Sequence, residues 1–185
     1  ILNGAHTSMV LGAYLAGQNI VRACMEDDVI RTFMNTAIFD EIIPTLTLPK
    51  DELEAFAASV QDRFKNPFID HALLSIALNS TSKWKARVLP SVKGYVEKFG
   101  KIPPCLTKSL AFLIAFYSGG TYRDGVMTCR RGEETYTVQD DEFVLKFYAE
   151  HGADTPQALV HAVLSNDVMW GEDLTQSPGF EDGVL

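Results

Sequence analysis

Apolar side chains recur at helical spacing along most of this 185-residue chain. The pattern is clearest between residues 53 and 64, where five positions share one helical face: Leu53, Phe56, Ala57, Val60 and Phe64. Spacing of i, i+3, i+4, i+7 and i+11 is typical of an amphipathic helix. Pro49 suits the first turn of this helix, and Asn66 followed by Pro67 suits its end. The chain is therefore expected to build its core from helices.

Comparable patterns predict further helices. One runs from the acidic stretch 26–28 to Pro44, and a second runs from Asp70 to Phe99 with a kink or break at Pro90. A third covers Leu106 to Tyr117. The last two run from Asp140 and Asp141 through Tyr148 to Gly152, and from Thr155 and Pro156 through Leu164. Helix starts are indicated by the acidic residues at 26–28 and 140–141 and by Thr155, and a helix end is indicated by Gly152. Pro90 is expected to kink or break its helix. Leu106 to Tyr117 is apolar all round, which predicts a buried central helix.

Residues 126–138 depart from the helical pattern. Thr135 to Val138 favour extended structure and Gly132 allows a turn, so we expect one short β-hairpin near 126–138. The sequence has no strand-helix alternation, and no GxGxxG or GxxxxGK[ST] motif follows a strand, so it cannot supply a dinucleotide-binding fold by itself. The prediction is an all-α, multi-helical single domain over residues 1–185 with that hairpin.

Composition excludes several classes of partner. The hydrophobic fraction of 46% and the charged fraction of 22% are ordinary for a globular protein. A net charge of -8 argues against nucleic acid and anionic membranes, because binding phosphate groups needs a surplus of Lys and Arg on one face. The longest apolar stretch, Leu110 to Tyr117, is far shorter than the roughly 20 residues of a membrane span.

Cysteine and histidine spacing indicates neither a disulfide framework nor a metal site. The cysteines are an odd set without close pairing: Cys24, Cys105 and Cys129. Such a set is typical of reduced thiols, which predicts a cytoplasmic protein. Three histidines lack metal-ligand spacing and are predicted to be structural: His71, His151 and His161. No metal is expected.

Asn3 and His6 are the first candidates for chemistry. They are three residues apart near the start of a predicted helix, so both side chains can point toward one space. An amide and an imidazole can both hydrogen-bond an alkoxide that develops on a carbonyl carbon. The same residues also serve commonly as helix caps, and spacing alone leaves both interpretations open.

The opening string Ile1-Leu2-Asn3-Gly4-Ala5-His6-Thr7 resembles the signature of the mannitol dehydrogenase family, the polyol-specific long-chain dehydrogenases. The family signature is a Lys, four residues, an Asn, two residues and a His. Asn3 and His6 match it, and the resemblance places the catalytic Lys three residues before Ile1. The chain also has no initiator Met, so we expect it to begin inside a larger protein.

Later segments extend this resemblance over nearly the whole chain. Residues 63–69 (RFKNPFI) resemble the family's RF-x-NP-x-I segment, and residues 79–91 (NSTSKWKARVLPS) resemble its serine-lysine segment in the version found in members that reduce tagaturonate. Residues 110–119 and 170–179 match in character and order. The resemblance implies the multi-helical C-terminal substrate domain of the 6-phosphogluconate dehydrogenase-like type, with the N-terminal Rossmann-like NAD domain absent from this chain.

Two departures from the mannitol-type pattern bear on the substrate. Ser75 stands where those members carry an Arg, and Asn79 stands where they carry an Asp. A uronate substrate has a carboxylate, which Lys83 and Arg87 can pair with from one helical face. Lys85 points elsewhere on a helix and is expected to be solvated. Lys83, Arg87 and Asn79 are therefore the predicted substrate-binding residues.

The resemblance also implies an activity. NADH held by the absent domain would deliver hydride to a keto-uronate such as tagaturonate, giving altronate. The upstream Lys would donate the proton, Asn3 would hydrogen-bond the developing alkoxide, and His6 would orient the reacting and neighbouring hydroxyls. The expected partners are a sugar acid and the chain's own N-terminal domain, onto which Trp170, Glu172 and Asp173 could dock.

Three other functions remain open. Fructuronate reductase or a mannitol-type dehydrogenase would use the same residues. A non-catalytic helical interaction module would need no cleft near Asn3, His6 and Lys83. A stand-alone ligand-binding module would bind sugar acids without nucleotide.

Overall fold

The computed structural model describes residues 2–185, with side chains from Asn3 onward; Ile1, which opens the motif, lies outside the described residues. The helices are α1 Leu2–Leu15, α2 Val21–Glu26, α3 Asp28–Thr36, α4 Lys50–Phe64, α5 Leu73–Ile76, α6 Ser80–Arg87, α7 Leu89–Phe99, α8 Pro104–Tyr117, α9 Glu142–Glu150, α10 Pro156–Leu164, α11 Asp167–Trp170 and α12 Phe180–Val184. The strands are β1 Thr121–Arg123, β2 Val126–Arg131 and β3 Glu134–Val138. A π-helical stretch, Ala37–Ile42, and a 3₁₀ turn, Ile43–Thr45, continue α3. The predicted fold class is confirmed, since the described chain is mostly helical.

The core is centred on α1 and α8. The predicted buried helix is confirmed, because Leu106, Leu110 and Leu113 of α8 are each 0% exposed. α1 packs along α8 and also touches α3, α5 and α6. Most of α1 from Ala5 to Tyr14 is buried. The helix that opens the chain is thus a central element of the fold.

Close packing of α1 on α8 depends on Gly12. A Cβ at this position would lie 2.5 Å from Cδ2 of the Phe112 ring. We expect Gly12→Ala to lower the free energy of unfolding by about 1–2 kcal/mol, since overpacking outweighs the roughly 1 kcal/mol gain in helix propensity. Urea unfolding measures this change. Gly94→Ala in α7 is the matched control, because its Cβ would meet Thr45 at 3.3 Å. Equal effects of the two variants would contradict the packing explanation.

The prediction of one long helix from Asp70 is wrong. The segment forms α5, α6 and α7, with a break at Asn79 as well as one near Pro90. Asn79 has φ 52°, a left-handed conformation that ends helical continuity. The break predicted at Pro90 is confirmed near that residue, because α6 ends at Arg87 and Pro90 lies in the first turn of α7, where its missing N–H has no cost.

The predicted amphipathic helix is confirmed as α4, which starts directly after Pro49. Leu53, Val60 and Phe64 are buried as expected. Phe56 was predicted to face the core but is 48% exposed. It lies at the edge of the apolar stripe, where helical spacing alone does not separate core from surface.

The predicted hairpin is confirmed as β2 and β3, and β1 adds a third antiparallel strand that the sequence did not indicate. Tyr136 on β3 buries its ring and donates a hydrogen bond from Oη to the Phe116 carbonyl, 2.7 Å away. Arg131 on β2 donates to the Tyr14 carbonyl at 2.8 Å. The sheet therefore covers the C-terminal ends of α1 and α8, and it leaves the N-terminal end of α1 to other elements.

Candidate active site

The N-terminal end of α1 meets the C-terminal end of α6. A Cβ at Gly4 would lie only 3.1 Å from the carbonyl oxygen of Arg87, so glycine permits an approach that a side chain would obstruct. Asn3 and His6 lie on either side of this contact, inside α1. The fold thus places Arg87 against the turn that carries both predicted catalytic residues.

The His6 imidazole is half-buried between aromatic neighbours. Its ring stacks on Phe64 at the end of α4, with centroids 4.1 Å apart. The His71 ring stands edge-on at 6.4 Å. Among the described residues, Nε2 of His6 is buried and has no hydrogen-bond partner. An unpartnered buried polar atom costs about 1–3 kcal/mol and calls for an explanation such as a ligand that completes the bond.

Burial lowers the pKa of His6 from 6.5 to about 4, and the nearby His71 and Arg87 act in the same direction. Each of these effects disfavours the protonated imidazole. His6 is therefore neutral at neutral pH. A neutral imidazole can accept or donate a hydrogen bond, which suits a group that orients substrate hydroxyls.

This pKa shift predicts a pH dependence of stability. The unfolded chain takes up a proton on His6 near pH 6.5, whereas the folded chain does so only near pH 4. Stability supplied by the neutral form is complete above about pH 6.5 and is lost as the pH falls through about 4. We expect His6→Gln to flatten this part of the stability curve, measured by urea unfolding across that window. Parallel curves for the variant and the wild type would contradict the shifted pKa.

Asn3 is exposed near the start of α1, one turn before His6. Within the described part of the chain, its side chain makes no capping hydrogen bond to the backbone, so the capping interpretation gains no support. Because residues three apart share a helical face, Asn3 and His6 are directed to the same side of α1. The amide is free to bind a ligand there.

Lys83 and Arg87 lie one turn apart on α6. The Lys83 ammonium is partly buried and donates one hydrogen bond to the Ile76 carbonyl at 2.8 Å. Burial lowers the pKa of Lys83, and the Arg87 charge lowers it further, while Asp140 opposes both. Arg87 is exposed and influences His6 as well as Lys83. Arg87 is therefore close enough to influence both His6 and Lys83, while Lys83 is also influenced by Asp140.

Asn79 lies at the opposite end of α6 from Arg87, about 12 Å away along a helix of 1.5 Å per residue. Its backbone N–H donates to the Gln139 carbonyl at 2.9 Å. This bond and the left-handed backbone explain an asparagine here, since Asn tolerates that conformation better than most residues. Its role in binding substrate stays a prediction.

Two side chains from elsewhere in the fold bind the first N–H groups of α6. The Tyr117 hydroxyl accepts from Ser80 N and donates to the Asp140 carboxylate. Asp140 also accepts from Thr81 N at 3.2 Å. The predicted capping of α9 by Asp140 and Asp141 is therefore wrong in detail. Asp141 occupies the cap position without a side-chain bond, and Asp140 instead holds the helix that carries Lys83.

Trp84 anchors α6 in the core. It is 0% exposed, and its Nε1 donates to Ser109 Oγ on α8 at 2.9 Å. Its ring packs edge-on against Trp170, with centroids 5.5 Å apart. Because residues 83 and 84 are adjacent, this anchor directs Lys83 away from the core. Lys85 is exposed on a different side of α6, next to Gly171, as expected.

Two residues that adjoin the predicted site were not predicted to belong to it. Phe64 was predicted only as a core residue, yet it also provides the surface on which His6 stacks. His71 was predicted to be structural, yet its exposed ring faces His6. Phe64 lies within the RF-x-NP-x-I segment at residues 63–69, and His71 lies two residues after it. This proximity to a family motif was the signal that the sequence offered for both residues.

Docking through Trp170 is contradicted by its burial, whereas docking through Glu172 and Asp173 stays a prediction. Trp170 is 2% exposed, Glu172 is paired with Lys93, and Asp173 caps the 3₁₀ turn Leu174–Gln176.

Across residues 2–185, no group of three His, Cys, Asp or Glu residues could hold a metal ion. Nor does any helix in that range have the length and apolar character needed to cross a bilayer.

Two cavities lie elsewhere and contain none of the predicted site residues. One of about 420 Å³ is lined by α8, α9, α10 and the C-terminus, and another of about 390 Å³ lies between α7 and residues 172–180. The predicted site is instead a partly exposed surface where α1, α4 and α6 meet.

Comparison with known proteins identifies the family. Residues 1–184 match the model of the mannitol dehydrogenase C-terminal domain. The chain belongs to the mannitol dehydrogenase family. This match covers almost every residue, so the family's C-terminal domain accounts for the helices and the small sheet together.

Curated relatives in the family are oxidoreductases. Altronate oxidoreductase from Yersinia enterocolitica is 46% identical over 190 aligned residues, which cover 100% of this chain and 37% of that protein. The enzyme of the same name from Klebsiella pneumoniae gives the same values. The chain thus spans 37% of the length of these curated relatives.

Solved structures share the fold. Mannitol 2-dehydrogenase from Pseudomonas fluorescens, in a ternary complex with NAD and D-mannitol, superposes with a TM-score of 0.81 at 22% identity, covering 100% of this chain and 35% of that one. A substrate-free D-sorbitol dehydrogenase gives a TM-score of 0.64 at 18% identity, with 100% and 39% covered. At these identities the likeness concerns the fold alone.

Proposed function

We propose that residues 1–185 are the substrate-binding domain of an NAD-dependent enzyme that reduces tagaturonate to altronate. The observation that carries this proposal is the neutral, unpartnered His6 imidazole close to Arg87, which also lies one turn from Lys83 on α6. The 46% identity to altronate oxidoreductases over the whole chain supports the choice of substrate.

The reaction needs a hydride, a proton and a means of holding the ketone. NADH, when bound, supplies the hydride to the ketone carbon. As the C=O π electrons move to oxygen, Asn3 hydrogen-bonds the developing alkoxide. The family's Lys, expected three residues before Ile1, gives that oxygen its proton. His6 Nε2 orients the reacting oxygen and a neighbouring hydroxyl, and in doing so gains the hydrogen-bond partner that it otherwise lacks.

Residues of α6 would select the substrate. Arg87 and Lys83 would pair with the uronate carboxylate, because each has N–H donors left for a ligand. Lys83 uses one of its three donors on Ile76.

NAD would be held mainly outside this chain. Within residues 2–185 the sheet is a three-stranded antiparallel one, and it lacks the parallel strand pairs on which dinucleotide folds are built. An N-terminal Rossmann-like domain of the same cytoplasmic protein would supply the nucleotide site and the Lys. Phe68 is 92% exposed and Ile69 is 61% exposed on the loop beside His71, which makes this loop a suitable contact for that domain.

The decisive experiment assays the intact enzyme with NADH against tagaturonate, fructuronate and fructose. We expect the highest kcat/KM with tagaturonate. Lys83→Ala should raise KM for the uronates, and Lys85→Ala is the matched control because Lys85 lies next to Gly171 instead. Preference for fructuronate or fructose would assign the enzyme to another activity of the same family.

A ligand-binding or interaction module is the second candidate. It is favoured by one observation, namely that the 420 Å³ cavity lies away from His6. Calorimetry of the chain with altronate, in the absence of nucleotide, tests it. Measurable affinity that survives Lys83→Ala would favour this alternative.

A further inference from the structure

The histidines of this chain divide into two pairs. His151 Nδ1 lies 2.6 Å from Asp154, and His161 Nδ1 lies 2.9 Å from Glu181. For His6 and His71, no side-chain hydrogen bond exists among residues 2–185. The two histidines without partners are also the two that face each other. Unpartnered imidazoles that adjoin one another point to a ligand that binds both.

The backbone of His71 is held firmly although its side chain is exposed. Its carbonyl accepts from Val21 N at 2.9 Å, and Ala72 forms a bridge with Ile20. Arg22 donates to the Pro67 carbonyl at 2.8 Å and pairs with Asp70. These contacts fix the loop between α4 and α5. The His71 imidazole is therefore presented at a defined position.

The charges around His71 favour an anion. The His71 ring lies 6.4 Å from the His6 ring, and the Arg87 backbone lies against Gly4 in the same turn of α1, so both residues adjoin His6, and both lower its pKa. The acidic neighbour in sequence, Asp70, is already paired with Arg22 at 2.8 Å. A carboxylate bound between His71 and Arg87 would meet donors from two separate elements.

The dimensions suit a six-carbon sugar acid. From a ketone carbon to a carboxylate four bonds away, an extended chain with bonds of about 1.5 Å spans roughly 5 Å. The His6 and His71 ring centroids are 6.4 Å apart. A substrate whose reacting oxygen meets His6 can therefore bring its carboxylate within reach of His71.

We infer that His71 is a specificity-determining residue that hydrogen-bonds the substrate carboxylate together with Arg87, and this inference rests on the proposed function. Neutral ketoses and polyols lack the group that His71 binds. His71 would therefore separate sugar acids from neutral sugars at a site whose catalytic residues serve both.

The test is made in the intact enzyme with His71→Phe, which keeps a ring beside His6 but removes the hydrogen bond, and with His71→Gln, which keeps a donor. We expect His71→Phe to raise KM for tagaturonate about tenfold, since hydrogen bonds to charged groups are worth about 1.5 kcal/mol or more, with little change in kcat. His71→Gln should recover most of the affinity. His161→Phe is the control, because it replaces an exposed histidine that already has a partner.

The possible results separate this inference from the function on which it rests. Wild-type enzyme that reduces fructose but no keto-uronate would overturn the proposed function and the role of His71 together. Wild-type activity on tagaturonate with an unchanged KM in His71→Phe would overturn the role of His71 alone. A lower kcat, or an equal rise in KM for fructose, would likewise show that His71 does not select the carboxylate. Thermal unfolding of each variant verifies that it is folded.

Discussion

Asn3→Ala in the intact enzyme is expected to lower kcat about 10²- to 10³-fold, the usual loss when one donor to a developing alkoxide is removed. Asn3 is exposed near the start of α1 and shares a helical face with His6. Its amide makes no backbone bond among the described residues, so the substitution removes no hydrogen bond from the fold there. Steady-state kinetics with tagaturonate and NADH measure the effect.

A second variant, Asn3→Asp, and the stability of Asn3→Ala test the same role of Asn3. Asn3→Asp keeps the size of the side chain but replaces its N–H donor with a negative charge, so kcat should fall at least as far as with Ala. Urea unfolding should give nearly the same free energy for Asn3→Ala and the wild type, because surface substitutions usually change stability by less than about 0.5 kcal/mol. Normal turnover in Asn3→Ala would remove Asn3 from the site.

Trp84→Ala is expected to cost about 3–5 kcal/mol of unfolding free energy, the range for deleting a buried Trp. Trp84 is 0% exposed and joins α6 to α8 and to Trp170. A loss of that size is a large share of the roughly 5–15 kcal/mol that stabilises a domain. Denaturant unfolding measures it. Lys83 and Arg87 should lose their fixed positions as α6 loosens, so KM for the uronate should rise in any enzyme that remains folded.

Smaller changes at the same contact serve as controls. Trp84→Phe keeps part of the buried ring and should cost less than the Ala variant. Ser109→Ala removes the oxygen that accepts from Trp84 Nε1 and should cost about 1–3 kcal/mol, because a buried N–H is left without a partner. A loss below about 1 kcal/mol in Trp84→Ala would show that α6 is held mainly by its other contacts, such as Tyr117 and Asp140.

The helices that could be predicted are those with local end signals. Pro49 precedes α4, and Thr155 caps α10 by accepting from Ala158 N. The Thr155 cap satisfies an N–H group of the first helical turn and Pro49 presets the backbone that leads into α4, and both signals lie next to their helices in the sequence. The break between α5 and α6 could not be predicted, because Asn79 takes its left-handed conformation with a partner 60 residues away, at Gln139. β1 has only three residues and gives no strand pattern.

In the candidate site, too, some features could be predicted from local sequence and others depend on contacts between distant segments. Asn3 and His6 are predicted from a short motif, and Lys83 and Arg87 are predicted from a segment that resembles the family and from their spacing on one helix. That Arg87 reaches α1 depends on the contact at Gly4, and that His6 stacks on Phe64 depends on how α4 ends. His71 lies just after the motif at residues 63–69, but nothing in that segment shows which imidazole it faces.

The sequence by itself determined that this chain is helical, that it resembles one dehydrogenase family, and which side chains could do the chemistry, because periodicity, caps and short motifs are local properties. Only the tertiary structure decided that His6 is neutral and unpartnered, that Arg87 lies near it, and that His71 faces it. The physical reason is that burial and Coulomb interactions depend on distances between residues far apart in the chain, and packing alone sets those distances.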